Sequence, residues 1–270
     1  MPSEPQFPRT SRFERVSLLG RGANGVVFRA LDRETGQEVA LKSLSSPGAE
    51  QAYRLKAEFR SLARITHQNL VQLEELFVSG GDCFFTMELL HGGTLADFVA
   101  AIDGVPRPPL WSEAALARLR GVTLQLVSGI AALHGAGKLH RDIKPTNIMV
   151  TDEGRAVLVD FGLCAELRLM DRARHHLAGT LLYMAPEQAW GKPLTPAADW
   201  YALGAVLYEA LVGRRPFEGA GSRLLVEKEK PTEVPADHAG PLAELAAALL
   251  HPDPARRPGR RRSGRRSARR

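Results

Sequence analysis

The chain has 270 residues, 44% of them apolar and 24% charged, a globular composition with enough material for one broad core or two modest lobes, which excludes disorder of the whole. Its formal charge of +6 suggests an anionic partner only until it is located: residues 259–270, GRRRSGRRSARR, carry seven arginines and no acid, and the remainder has a net charge of −1. Two cysteines, Cys83 and Cys164, are too few for a disulfide framework and fit a reducing compartment. The first thirty residues lack a signal pattern, and no run reaches the ~18 apolar residues of a membrane span; residues 202–212 come closest but include Glu209. A cytoplasmic protein without a membrane span is expected.

Residues 1–11 are polar and read as a loose lead-in. From Phe13 the pattern shortens to strands, RFERVSLLG, GVVFRALD and EVALKSL, with a turn at residues 33–36 between the last two. The glycines fall as Gly20-x-Gly22-x-x-Gly25-x-Val27. A dinucleotide-binding fold uses the same spacing but opens a helix after it, whereas Val26-Val27-Phe28 is β-branched and aromatic, so a hairpin lid over phosphates is predicted. Lys42 ends the strand Val39-Ala40-Leu41-Lys42. A helix is predicted over residues 50–65, with Leu55, Phe59, Leu62 and Ile65 as its buried stripe and Glu58 beside it, placed to reach Lys42. Residues 84–87 read as an apolar strand, after which composition turns from strand-rich to helix-rich, so a hinge is placed at residues 88–93. After a Pro-rich stretch at 105–109, Ser112 caps a long helix with Leu116, Leu119, Leu126, Ile130 and Leu133 facing inward.

That helix delivers the chain to Leu139-His140-Arg141-Asp142-Ile143-Lys144-Pro145-Thr146-Asn147, which places a carboxylate, a cation and a carboxamide within six positions. Asp142 can take a hydroxyl proton, Lys144 can neutralise a transferring phosphoryl, and Asn147 offers an oxygen to a hard cation such as Mg²⁺. Eighteen positions after Asp142, Val159-Asp160-Phe161-Gly162 supplies a second carboxylate for the metal, followed by a glycine that lets the backbone turn. These are parts required for phosphoryl transfer, in which positioning and charge stabilisation do most of the catalysis.

In order, GRGANGVV, VALK, Glu58, HRDIKPTN, DFG, GTLLYMAPE, DWYALG and DPARRP resemble the motifs of the eukaryotic-type serine/threonine protein kinases, a family also found in bacteria, over residues 13–258. The resemblance implies an α+β, bilobal fold: a small β-rich N-lobe at 12–87 with one main helix, a hinge, and a larger, mostly helical C-lobe at 94–258. It implies ATP and Mg²⁺, with Mn²⁺ as an alternative, and a protein acceptor bearing serine or threonine. Leu19, Gly20, Gly22, Gly25, Val27, Ala40, Met87, Glu88, Leu90 and Met149 would form the nucleotide site, with Met149 below the adenine and Val27 and Ala40 above. Lys42 would pair with Glu58 and contact phosphates, Asn147 and Asp160 would hold metal, and Thr180 would bond the catalytic loop beside Asp142 and Lys144. Glu187 and Arg257 would form a buried structural pair, and Asp199 would anchor the loop from below.

Two departures stand out. Residues 163–178, LCAELRLMDRARHHLA, contain no serine, threonine or tyrosine, so Glu166 or Asp171 is expected to take a phosphate's place against Arg141, leaving the activity constitutive or under a regulatory domain or partner. His175 and His176 read as solvated loop histidines, and Cys164 as an inert small residue. Residues 259–270 contain no Leu, Ile, Val or Phe and cannot bury the stripe of a final helix. A basic tail, a truncation and a frameshift all account for them, the last two best. Without aromatics the tail carries no specific nucleic-acid recognition.

Overall fold

The computed structural model describes residues 6–22, 25–44, 48–79, 81–102, 111–160, 181–219, 221–238 and 240–259. Phe161, Gly162, Cys164, Glu166, Asp171, His175, His176, Thr180 and the arginines of the C-terminal stretch lie outside the described residues.

Five antiparallel strands form the first sheet in the order β1-β2-β3-β5-β4, with β1 Phe13–Gly22, β2 Gly25–Asp32, β3 Glu38–Leu44, β4 Leu73–Ser79 and β5 Asp82–Met87. Side chains alternate across the sheet, so Phe28 and Ala30 of β2 point to one face. That face is closed by Phe13, Leu41 and Phe84, with Phe77 stacked on Phe84 at 4.7 Å. Phe7, in the stretch expected to be a loose lead-in, packs edge-on against Phe28 at 5.3 Å. The opposite face takes helix α1, Ala49–Ala63, through Leu55, Phe59 and Leu62. Ile65, predicted as the end of that stripe, lies beyond the helix and is half-buried.

The second sheet, β6 Gly92–Thr94, β7 Ile148–Thr151 and β8 Ala156–Leu158, is antiparallel and begins inside the stretch read as hinge. Thr94 also caps helix α2, Leu95–Ala101, through a reciprocal box with Asp97. Helix α3, Glu113–Gly135, starts at the predicted cap, where Ser112 Oγ accepts from Ala115 N at 3.1 Å. It buries Leu119, Leu126, Ile130 and Leu133, while Leu116 is half-buried. By length and apolarity α3 passes as a membrane span, which residues 202–212 were expected to approach most closely, but its apolar stripe is packed inside the protein. Helices α4 Pro186–Ala189, α5 Ala197–Val212, α6 Gly221–Glu227 and α7 Pro241–Leu249 complete the C-lobe. Helix α5 is buried on nearly every side, as an all-round apolar helix must be. It lies so close to α7 that a Cβ on Gly204 would sit 2.7 Å from Leu249 Cβ.

Asn69, fully buried between the lobes, donates to Ala156 O at 2.7 Å and Gln125 Oε1 at 3.0 Å, and its own carbonyl accepts from Leu158 N at 3.0 Å. A Cβ on Gly129 of α3 would come within 2.8 Å of that carbonyl, so the crossing requires glycine there. The chain is thus a β-rich lobe with one main helix joined to a larger, mostly helical lobe.

Candidate active site

The predicted nucleotide residues are gathered by strand register. Gly20 lies opposite Val27 across β1 and β2, Val27 opposite Lys42 across β2 and β3, and Ala40 opposite Met87 across β3 and β5. Gly25 has φ +126, and a Cβ there would stand 2.0 Å from Ser43 O, so the turn into β2 excludes every other residue. Gly20 and Gly22 differ: a Cβ on either meets no atom of the described residues within 4 Å. Packing among the described residues does not account for these two glycines. Leu19 is exposed. Met149, opposite Thr94 in the second sheet, is half-buried. The Glu88 side chain ties the lobes, accepting from Gln72 N at 2.9 Å and from Arg155 Nη2 at 2.7 Å. Its N–H is taken by Gln72 O, whereas among the described residues no hydrogen bond uses the Glu88 carbonyl or the Leu90 N–H. Those two backbone groups can meet the edge of a base.

The loop between α3 and β7 is knotted around Asp142. Lys144 Nζ and Asn147 Nδ2 both donate to its Oδ2 at 3.0 Å, and Asn147 Nδ2 also reaches its carbonyl at 2.8 Å. Asn147 spends its nitrogen on Asp142, so its oxygen is the atom suited to a cation. From below, Asp199 accepts from the N–H groups of His140 and Arg141, each at 2.8 Å, and meets His134 Nε2 at 2.7 Å. Arg141 has φ +66 and Asp160 φ +64; among the described residues these are the two non-glycine residues in the left-handed region, and both fall in this site. His140 is fully buried, accepts from Asp142 N through Nδ1 at 3.3 Å, and is held to its neutral form by burial. The unfolded chain therefore takes up a proton at about pH 6.5 that the native chain refuses, and stability falls as pH drops below that value. His140→Asn, which keeps an acceptor at the Nδ1 position, is expected to flatten the acid limb of a urea-unfolding series by about 1.4 kcal/mol per pH unit. An unchanged limb would assign acid lability to other groups.

The expected Lys42–Glu58 ion pair is absent from the described residues. Lys42 Nζ lies 2.6 Å from Asp160 Oδ1, and Glu58 accepts from Lys138 Nζ at 2.7 Å. The physical reason is placement of the carboxylates: Lys42, with its side chain 3% exposed, takes the acid beside it, while α1 presents Glu58 to the segment leading into the Asp142 loop.

Beyond the site, Arg257 grips Glu187 through two contacts, 2.5 Å from Nη1 and 2.9 Å from Nη2, with both side chains buried. Lys228, just past α6, is fully buried, with Nζ donating to the carbonyls of Leu182 and Met184 at 2.9 Å each. Burial drives its pKa well below the usual lysine range, to about 7, against the pull of those two carbonyls.

The profile of the protein kinase domain matches residues 13–264. The chain belongs to the protein kinase family. This kinase domain is 34% identical over 229 residues to the serine/threonine-protein kinase PknL of Mycobacterium tuberculosis, covering 83% of the chain and 55% of that protein. It is 35% identical over 279 aligned positions to PkaA of Streptomyces coelicolor, 93% of the chain and 48% of that protein. To the DNA damage-responsive kinase RqkA of Deinococcus radiodurans it is 35% identical over 244 residues, 87% of the chain and 35% of that protein. The kinase domain therefore spans about half the length of the curated relatives it matches, or less.

Lys138 and Lys228 escaped the sequence reading. Lys138 was visible only as a charge between Gly137 and Leu139, and Lys228 sits in Glu227-Lys228-Glu229-Lys230, which reads as a solvated charge run.

Proposed function

We propose that this domain transfers the γ-phosphoryl of ATP to serine and threonine hydroxyls of protein substrates. The observation that carries the reading is the convergence of Lys144 and Asn147 on the Asp142 carboxylate, with Asp160 delivered to Lys42. Asp142 orients the acceptor hydroxyl and takes its proton as the oxygen attacks phosphorus; Lys144 offsets charge on the transferring group. Asn147 and Asp160 offer only oxygens to a metal, a donor set that fits Mg²⁺ and leaves Mn²⁺ as an alternative. When bound, the ion neutralises phosphate charge. Gly20 and Gly22 let the lid approach phosphates, Gly25 shapes its turn, and Val27, Ala40, Met87 and Met149 enclose a base whose edge meets Glu88 and Leu90. Thr180 is assigned to the catalytic loop on family resemblance. The free, buried Cys83 supports cytoplasmic placement, and the greater length of the relatives supports control by a further domain or a partner.

The test is incubation with γ-labelled ATP and a generic basic protein, against an Asp160→Asn control. Label on serine or threonine that disappears in the control supports the proposal. A folded wild type that binds ATP yet labels nothing would sink it and leave a scaffold.

The described arrangement needs one rearrangement before Lys42 can be braced by Glu58: Lys138 must release that carboxylate. A half-buried ion pair of this kind is worth about 1 kcal/mol, so Lys138→Met is expected to raise kcat/KM for ATP by about fivefold. A fall instead would mean that the Lys138–Glu58 pair belongs to the working state.

A further inference from the structure

Residues 182–187 run into the first turn of α4, and in the family this stretch is the ledge on which a protein acceptor docks. Side chains from elsewhere in the C-lobe hold it. Tyr183 O–H bonds to Glu209, Glu187 is gripped by Arg257, and Lys228 takes the carbonyls of Leu182 and Met184. The first two holds depend on the identity of the ledge residue, whereas Lys228 grips backbone on both sides of Tyr183 and so sets the path of the chain.

The amine of Lys228 is enclosed by aromatic rings. Its Nζ lies 5.2 Å from the Tyr201 ring centroid and 5.0 Å from that of Phe217, two rings that are parallel to within 9°. The Arg257 guanidinium carbon is 4.8 Å from the Tyr201 ring, so the cations holding the two ends of the ledge share one aromatic side chain. A buried ammonium is costly, and two carbonyls could be satisfied by a neutral donor or by water. Neighbouring Glu229 and Lys230 are exposed, so chain position does not force Lys228 inside.

We infer that Lys228 is a positioning residue for the protein acceptor: by fixing the Leu182 and Met184 carbonyls from beneath it sets the docking ledge, and so governs protein-substrate binding without touching ATP or the transfer step. The inference rests on the proposed phosphotransfer. Its role is separable from that of the Asp142 knot: among the described residues no hydrogen bond or ion pair joins Lys228 to Asp142, Lys144, Asn147, Asp160 or Lys42.

The experiment is steady-state kinetics of wild type, Lys228→Met and Lys228→Gln with ATP and the basic protein varied in turn. Lys228→Met keeps the stem as far as Cε, and with it apolar contact with both rings, but donates nothing. Loss of both hydrogen bonds to the ledge is expected to raise KM for protein by about tenfold, with kcat and KM for ATP within about twofold. Gln keeps two N–H donors on a chain one bond shorter and is expected to recover about half of that loss on a logarithmic scale. Should Lys228→Met lack a cooperative thermal transition, Lys228→Gln decides by the same split. An unmoved protein KM in a folded variant, or a parallel change in kcat and both KM values, overturns the assignment. Absence of protein labelling by wild type overturns the phosphotransfer reading and this inference with it.

Discussion

Asp142→Asn is expected to lower kcat about 10³-fold, within the range of a lost general base, while shifting the thermal midpoint by less than about 2 °C. The asymmetry follows from the bonding around Asp142 Oδ2, which accepts from both Lys144 Nζ and Asn147 Nδ2 at 3.0 Å. An amide oxygen at that position keeps both bonds, so the loop retains its shape. What the amide cannot do is take the hydroxyl proton. Asp142→Ala is a poorer probe, because it also leaves Lys144 and Asn147 without that acceptor in a site where Asp142 is 7% exposed. The measurement is kcat at saturating ATP and protein beside a thermal melt of the same sample. A fall of less than tenfold in Asp142→Asn would remove Asp142 from proton transfer.

The elements that position this site were legible because their signals are local. The alternation of β2 and β3, the cap at Ser112 and the stripe of Leu119, Leu126, Ile130 and Leu133 need only neighbours within a turn or a strand. Asp142, Lys144 and Asn147 lie within six positions, so their juxtaposition was also local. Ion pairing between distant segments was not. Glu58 and Lys42 lie sixteen residues apart, and which cation Glu58 meets depends on how α1 sits over the loop that carries Lys138. Lys228 shows the complementary failure. Its charged neighbours describe a solvated stretch, and only tertiary packing of Tyr201 and Phe217 around one position turns it inward. A sequence registers which residues can be buried far better than which charged residue will be.

The second large effect lies far from the chemistry, in the Glu187–Arg257 pair. Arg257 makes the fork to Glu187 and donates further to His251 O at 2.7 Å and to Ala197 O and Pro252 O at 2.9 Å each. Removing Glu187 leaves a guanidinium that is still partly satisfied but has lost its counter-charge; removing Arg257 leaves a carboxylate buried without its counter-charge and three carbonyls without a donor. Each truncation is expected to cost about 3–5 kcal/mol, which for a domain of this size lowers the melting midpoint by about 6–20 °C. Arg257→Met should lie at the upper end and Glu187→Ala at the lower. Their combination is the decisive sample, since two apolar side chains in one site leave no buried charge behind. The double variant is expected to be at least about 2 kcal/mol more stable than the sum of the single losses predicts. Additive losses in urea unfolding would mean that the two residues stabilise the C-lobe separately, through packing and carbonyl capture, and that the ion pair between them contributes little. Coupling would instead locate the stability of the ledge in the same pair whose arginine packs against Tyr201.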